Sequence, residues 1–377
     1  CINLDIFGNQ IMTMMKIKDI TTYLEHIAPL ALQESYDNCG LIVGDKEWEV
    51  SKVLVTLDCT EAIVDEAISE GCNLIIAHHP IVFSGLKKIN GKNYVERTII
   101  KAIKNDVAIY AIHTNYDNVM NGVNAMIASR LGLTNVKMLS PKGGLLKKLI
   151  TFIPDEHYHA VSTAVFAAGA GHIGNYSETS FNTPGFGTFR GNEQSNPTIG
   201  KAGELEKVAE IRFETIFPTY LEGKVLSALM SAHPYEEVAY DVVLLQNEWN
   251  QVGSGMIGEV DEQSEMDFLQ SLKDKMEAKV VRHTPTLGKS IKKVAICGGS
   301  GRFLLNDAIA AGADVFVTAD FKYHDFFDAD GKIIVADIGH YESEQFTKDL
   351  LKSHLLEKFP TFAVLKSKIN TNPINYL

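Results

Sequence analysis

The chain has 377 residues and a formal net charge of −12, from 35 basic and 47 acidic side chains. This length indicates two or three domains, and a hydrophobic fraction of 45% is ordinary for a globular protein. The acidic balance argues against general binding to nucleic acids or acidic membranes, because both need a basic face on the protein. A local basic pocket for a nucleotide is still compatible with it.

The five cysteines show no CxxC or other paired spacing, so no disulfide framework is expected. That fits a reducing compartment, and we expect a cytoplasmic protein. We find no apolar run of membrane-spanning length and no basic-then-apolar signal peptide. Residues 1–14 are expected to be an upstream extension or a vector remnant, because Met15-Lys16-Ile17-Lys18 is a more natural start.

Predicted strands and helices alternate in the first part of the chain. Apolar spacing predicts a helix over 17–32 with a loop after it. It then predicts strands over 53–58, 74–78 and 107–113, and helices over 61–69, 95–105 and 119–131. This alternation is typical of a parallel or mixed sheet with helices packed on it.

The last part of the chain repeats this plan, whereas the middle part differs. Strands are predicted over 293–297, 313–318 and 332–337, with a turn over 298–301 and a helix over 304–311. The middle stretch alternates as βαβ-βαβ, which is typical of a ferredoxin-like module. We therefore predict an α/β fold in which two related α/β halves form one core and an α+β domain is inserted between them. The predicted boundaries are 15–145, 146–250 and 251–377.

Histidines stand where three predicted strands end, and the clearest case is His78-His79 before Pro80. Two imidazoles at the end of a buried strand are costly to leave without partners, whether metal ions or hydrogen bonds. Adjacent strand residues point to opposite faces. His78 and His79 would therefore not normally meet one ion, but each could serve one of two neighbouring ions.

The other two strand ends combine a histidine with a carboxylate. His113 precedes Asp117, and His340 precedes Glu344 at the i,i+4 spacing that puts both on one helix face. A carboxylate flanked by neutral imidazoles suits zinc, manganese, iron or cobalt. Each pair also has a plainer explanation, as a helix cap or a surface ion pair. Three such strand ends together favour a site at the carboxyl edge of the sheet.

These segments resemble the motifs of the Nif-three-like family, whose members are often named as homologues of GTP cyclohydrolase I type 2. The likeness runs from about Met15 to the last residue. The middle stretch, with its segments 171–177 and 183–189, is similar to the PII/CutA-like insert of the longer bacterial members. The motifs that carry the resemblance are Ala77-His78-His79-Pro80, His113-Thr114-Asn115-Tyr116-Asp117 and Asp337-Ile338-Gly339-His340-Tyr341-Glu342-Ser343-Glu344.

The resemblance implies a dinuclear metal site in a cleft between the two halves. It implies two divalent ions per chain, with zinc as the first choice and manganese, iron or cobalt as alternatives. It also implies a toroidal homohexamer whose sites face an inner cavity. The ligands carried over by position are His78, His79, Asp117, His340 and Glu344, with His113 as a further ligand or a group beside one.

The function that we expect is metal-assisted hydrolysis of a nucleotide, similar to the ring opening by GTP cyclohydrolase I type 2. A water activated by the metals would attack C8 of the purine, and His324 could deliver a proton to the leaving nitrogen. Tyr36 and Asn38 could line the cleft. Lys322, or Gly299 in the glycine-rich turn, could bind phosphate. The alternatives are a phosphoesterase on the same metals and a non-enzymatic metal-binding or regulatory hexamer whose insert senses a ligand.

Overall fold

A computed structural model describes residues 15–377, so the expected extension at 1–14 lies outside the described residues. The strands are β1 (Gly40–Val43), β2 (Val53–Thr56), β3 (Leu74–Ala77), β4 (Ala108–Ala111), β5 (Thr134–Gly143), β6 (Leu146–Pro154), β7 (Ser180–Phe189), β8 (Glu206–Pro218), β9 (Tyr240–Leu245), β10 (Glu248–Ser264), β11 (Arg282–His283), β12 (Ser290–Ser300), β13 (Val315–Ala319), β14 (Ile334–Asp337) and β15 (Val364–Lys366). The α-helices are α1 (Ile17–Ile27), α2 (Glu61–Glu70), α3 (Tyr94–Lys104), α4 (Thr114–Asp117), α5 (Val123–Leu131), α6 (Tyr158–Ala167), α7 (Glu222–Ala232), α8 (Glu265–Lys275), α9 (Leu305–Ala310), α10 (His340–Glu344) and α11 (Thr347–Lys358).

The chain divides into two compact units. Among the described residues, one comprises 15–140 together with Ser254–Leu377, and the other comprises Pro141–Gly253. The predicted α/β class, with two related halves and an inserted domain, is confirmed. Within residues 15–377, no helix has both the length and the apolar character needed to cross a membrane.

The first sheet of the larger unit has the strand order β1-β4-β3-β2-β15. Strands β15, β2, β3 and β4 run parallel, and β1 is antiparallel to β4. Every residue of β2, β3 and β4 is buried, as expected where helices cover both faces of a parallel sheet. The last strand of the chain therefore completes the sheet of the first half, which our sequence analysis did not predict.

The second sheet of this unit has the order β11-β14-β13-β12-β10-β5, and β12, β13 and β14 are parallel. The order β12–α9–β13 repeats β2–α2–β3 of the first half. Because parallel strands end at one edge of their sheet, residues after β3 and β4 share one edge, and those after β13 and β14 share another. These two edges carry the histidines.

Three sequence predictions in this unit need correction. The helix predicted over 17–32 ends at Ile27, because Pro29 disfavours helical geometry at the residue before it. The turn predicted over 298–301 is largely strand, since β12 continues to Ser300. The helix predicted over 119–131 begins only at Val123, after the separate short helix α4.

The smaller unit is ferredoxin-like. Its elements follow the order β6–α6–β7–β8–α7–β9, and its sheet has the antiparallel order β7-β8-β6-β9. Its core includes Leu149, Phe213 and Leu229, from β6, β8 and α7. Alternate residues of β6 and β8 supply the apolar face that the two helices cover.

Candidate metal centre

Six side chains that follow the strand ends meet in one group, which we call the cluster. Two follow β3, one follows β4, one ends α4, and two open and close α10. Their potential ligand atoms form three overlapping sets, and within each set the atoms lie within 4.8 Å of one another. The sets are His78–His79–His113, His79–His340–Glu344 and His78–Asp117–Glu344.

His78 and His79 do not separate to opposite faces as strand geometry predicts. Strand β3 ends at Ala77, so the alternation of side chains no longer applies to the two histidines. Their ring centroids are 4.9 Å apart, and both belong to the set that includes His113. Both histidines can therefore contribute to the same ion.

Each cluster histidine has its Nδ1 atom held by an acceptor. The Nδ1 partners are Asp58 Oδ1 for His79 (2.8 Å), Asp37 Oδ1 for His113 (2.9 Å), Asp320 Oδ2 for His340 (2.7 Å) and the Ile112 carbonyl for His78 (2.8 Å). Carboxylates and carbonyls only accept, so each Nδ1 carries the donated hydrogen. Each Nε2 is then left to face the cluster, as in metal sites where carboxylates orient histidine ligands.

The three carboxylates behind the histidines are ionised at neutral pH. Burial opposes ionisation of Asp58, but the hydrogen bond and charge of His79 outweigh it and lower the pKa of Asp58. The same balance, with His113 as the partner, holds the pKa of Asp37 well below its ordinary value. For Asp320 the hydrogen bond from His340 is the largest cause of a lowered pKa.

Sequence reasoning gave these three carboxylates no role. A signal existed for two of them, since Asp58 and Asp320 follow the ends of β2 and β13 and so lie at the same sheet edges as the histidines. Asp37 lies in the loop before β1 and had no such signal.

Two buried acceptors in the cluster have no hydrogen-bond partner. These atoms are His78 Nε2 and Asp117 Oδ1, which lie 3.7 Å apart. In the neutral His78 ring with its hydrogen on Nδ1, Nε2 is an acceptor that faces the acceptor oxygen of Asp117. Leaving such atoms buried and unpaired costs about 1–3 kcal/mol each. A cation between them would satisfy both, so these residues fit a metal ion.

Spacing in the His79–His340–Glu344 set also fits a metal ion. The Nε2 atoms of His79 and His340 are 3.3 Å apart and lie 3.0 and 3.2 Å from Glu344 Oε2. A tetrahedral ion with bonds of about 2.0–2.1 Å holds its ligands about 3.3–3.4 Å apart. Imidazole and carboxylate ligands suit zinc, manganese, iron or cobalt.

Glu344 divides its two oxygens between the sets. Oε2 faces His79 and His340, whereas Oε1 faces His78 Nε2 at 3.8 Å. Burial opposes ionisation of this side chain, but the charge of His340 and hydrogen bonds from the histidines hold the pKa of Glu344 well below its ordinary value. Glu344 is therefore an anion that reaches both sides of the cluster.

Gly299 lies directly against Glu344 and His340. Its φ of +59° is in the left-handed region, and a Cβ atom there would lie 2.5 Å from Glu344 Oε1. Its amide N–H donates to Ser343 Oγ at 2.9 Å. Ser343 therefore competes with phosphate for this amide. The absence of a side chain at Gly299 leaves room for Glu344 and His340.

A cleft of about 440 Å³ opens beside the cluster, and Tyr36 is among its lining residues. The lining, as far as residues 15–377 describe it, includes neither Asn38, Lys322 nor His324. Asn38 donates from Nδ2 to the Val82 carbonyl at 2.6 Å. Lys322 and His324 are exposed, and the His324 ring packs on a neighbouring tyrosine ring. Their predicted roles stay predictions.

We expect Gly299→Ala to lose metal binding. The new methyl group would displace Glu344 Oε1, and the left-handed backbone adds strain of about 1 kcal/mol. Gly331→Ala is the matched control, because Gly331 has φ +63° and open space where its Cβ would lie. Metal content and thermal unfolding of both variants check this prediction. Equal metal content in the two would contradict it.

We expect metal binding to release protons near neutral pH. Burial lowers the pKa of His79, but hydrogen bonds to Asp58 and Glu344 raise it to about 9. The charge of Glu344 is the main cause that raises the pKa of His340 to about 11. Both imidazoles are then protonated at pH 7 without metal, and an ion must displace these protons.

Affinity for the metal should therefore rise with pH over the range below these two pKa values. Calorimetric titration with Zn²⁺ in two buffers of different ionisation enthalpy measures the protons released. Identical binding heats in the two buffers would rule out the predicted release.

The chain is similar to known proteins over nearly its whole length. The family model described as "Duf34/NIF3 (NGG1p interacting factor 3)" matches residues 15–373. A relative from Halalkalibacterium halodurans, named "GTP cyclohydrolase 1 type 2 homolog", is 40% identical over 373 residues, covering 96% of this chain and 100% of the relative. A Bacillus subtilis relative of the same name is 38% identical over 367 residues, covering 96% and 98% of the two chains.

A solved structure is similar as well. The crystal structure described as a "Bacillus cereus protein related to NIF3" superposes with a TM-score of 0.84 at 39% identity. The likeness covers 97% of this chain and 100% of that one.

Proposed function

This chain belongs to the Duf34/NIF3 family, and from that premise we propose that it is a metal-dependent hydrolase acting on a nucleotide. The observation that carries the proposal is the buried, unpaired pair of acceptors, His78 Nε2 and Asp117 Oδ1, beside an open cleft. Unpaired acceptors that a cation would satisfy, next to space for a substrate, support metal-assisted chemistry over a structural site. The name shared by the relatives supports ring-opening hydrolysis as the reaction class.

We further propose two ions per chain, with zinc as the preferred metal. The division of the Glu344 oxygens between two sets supports a carboxylate shared by two ions. His79 and His340 would hold one ion with Glu344, and His78 and Asp117 would hold the other. Divalent ions bound there supply Lewis acidity and lower the pKa of nearby water to about 7.

The chain's own residues orient the site and handle protons. Asp58 and Asp320 hold the Nδ1 hydrogens of His79 and His340, which keeps both Nε2 atoms directed inward. His113 belongs to a single set that contains no carboxylate, and it lines the cleft. Held by Asp37, it is the cluster histidine best placed to exchange a proton with a substrate at Nε2.

Exposed aromatic side chains at the cleft support a substrate with a planar ring. Tyr36, Phe83 and Phe303 all line the cleft, and they are 62%, 50% and 64% exposed. The ring centroids of Tyr36 and Phe83 are 6.1 Å apart, and those of Phe83 and His113 are 6.3 Å apart. Aromatic faces stack on nucleobases at about 1–3 kcal/mol per base. A purine nucleotide is therefore the substrate class that we propose.

Metal content tests the site itself. We expect about two transition-metal ions per chain in protein purified without chelators or a His tag. Glu344→Ala should fall well below one ion, because both proposed ions share Glu344, whereas His340→Ala should fall to about one ion, because His340 belongs to one set only. His26→Ala, an exposed histidine on α1, is the control and should retain full metal content. A folded wild-type chain that binds no metal after reconstitution would overturn the proposal.

Product analysis with GTP tests the reaction. Formate release by the metal-loaded chain is the expected result, whereas phosphate release would indicate a phosphoesterase. We expect His113→Gln to reduce turnover more than His324→Ala, because His113 lines the cleft and His324 does not. The reverse order, with metal retained in both variants, would restore His324 as the proton donor. A fully loaded chain that yields neither product would exclude hydrolysis of GTP.

A further inference from the structure

We infer that the tail segment, defined as residues 367–377, positions metal ligands of both halves from outside the cluster. Thr371 acts on His79 through Asp58, and Asn372 acts on the start of α10 through Glu342. Both are positioning residues, since neither contacts the cluster itself. This inference rests on the proposed metal centre and deepens it.

The tail segment begins at a fixed place beside the first sheet. It follows β15, which pairs in parallel with β2. The Ser367 amide donates to the Val55 carbonyl at 2.9 Å, and the Ser367 hydroxyl donates to Glu66 Oε2 at 2.5 Å. The segment is therefore anchored before it reaches the metal-site carboxylates.

Thr371 completes a three-residue path to a metal ligand. Its hydroxyl donates to Asp58 Oδ2 at 2.5 Å, while Asp58 Oδ1 accepts from His79 Nδ1 at 2.8 Å. The terminal torsion of an aspartate is broad and only weakly fixed by its own rotamer preference. Two donors, one on each oxygen, fix the orientation of the carboxylate. The plane and position of the His79 ring then follow from that orientation.

Asn372 makes the equivalent contact on the other half. Its Nδ2 donates to Glu342 Oε1 at 3.0 Å, and Glu342 is buried. The other oxygen of Glu342 lies against Gly339, where a Cβ atom would overlap it. Gly339 has φ +93° and directly precedes His340. The tail segment therefore supports the turn from which His340 enters the cluster.

The two contacts link ligands that no single element holds together. His79 follows a strand of the first sheet and His340 follows a strand of the second, yet their Nε2 atoms are 3.3 Å apart. Ligand groups must be held within about 0.5 Å of their working geometry. A segment that contacts the supports of both histidines stabilises this spacing, so its hydrogen bonds should contribute to metal affinity.

The test compares four substitutions in the tail segment of the full chain. Thr371→Val removes the hydroxyl at nearly constant shape, and Thr371→Ser restores it. Ser367→Ala is the matched control. It removes the hydrogen bond from Ser367 to Glu66, which is as long as the bond from Thr371 to Asp58, and Glu66 makes no contact with the cluster. The readouts are the Co²⁺ dissociation constant, from competition with a chelator, and the absorption spectrum of the Co²⁺-loaded protein.

We expect Thr371→Val to weaken Co²⁺ binding by about 10-fold, the lower end of the range for groups behind metal ligands. Its spectrum should also shift, whereas Thr371→Ser and Ser367→Ala should stay within about twofold of the wild type. Asn372→Ala provides an independent variant on the His340 side and should weaken binding similarly.

The inference is overturned if Thr371→Val and Asn372→Ala bind Co²⁺ like the wild type. It is also overturned if Ser367→Ala weakens binding as much as they do, because the tail would then contribute only general stability. Failure of the wild type itself to bind Co²⁺ would instead overturn the proposed function. The two failures are therefore distinguishable.

Discussion

The cluster depends on the acceptors that hold the Nδ1 atoms of four histidines. Once Nδ1 is committed to a carboxylate or a carbonyl, the remaining nitrogen can only face inward. Four inward-facing nitrogens and two carboxylates then lie close together, around the buried side chains of His78 and Glu344. Without metal, the histidines beside Glu344 bind protons and Glu344 stays ionised. The pKa values of His79 and His340 are therefore raised and that of Glu344 is lowered. A divalent cation would replace these protons by binding several of the ligand atoms at once.

This arrangement follows from the topology of the larger unit. In a parallel sheet the carboxyl ends of neighbouring strands lie at one edge, so short loops place polar groups side by side. In each half, this edge carries both a histidine of the cluster and the aspartate that accepts a hydrogen bond from it. Asp58 after β2 supports His79 after β3, and Asp320 after β13 supports His340 after β14. Each half therefore has a carboxylate–histidine pair at its strand ends. The two pairs do not occupy equivalent positions in the repeated plan, because β13 corresponds to β3 whereas Asp58 follows β2.

Strand β15 and the tail segment join the two halves in a way that the repeated plan does not include. The chain leaves the second half after α11 and adds β15 to the first sheet. From there it contacts Asp58 on one side and Glu342 on the other. The segment contains no histidine or cysteine and makes no contact with the cluster, so its part in the site is visible only through the hydrogen bonds of intermediate residues.

The sequence by itself determined the features that depend on neighbouring residues. Periodicity predicted most strands and helices, and the i,i+4 spacing of His340 and Glu344 predicted their common helix face, which α10 shows. The motifs also identified the family. Only the tertiary structure decided which carboxylate holds which histidine, why position 299 is glycine, and where the three-residue strand β15 pairs. These outcomes depend on contacts between distant positions, such as Thr371 and Asp58, which are 313 residues apart. Local patterns carry no information on such pairs, because chain folding alone brings them together.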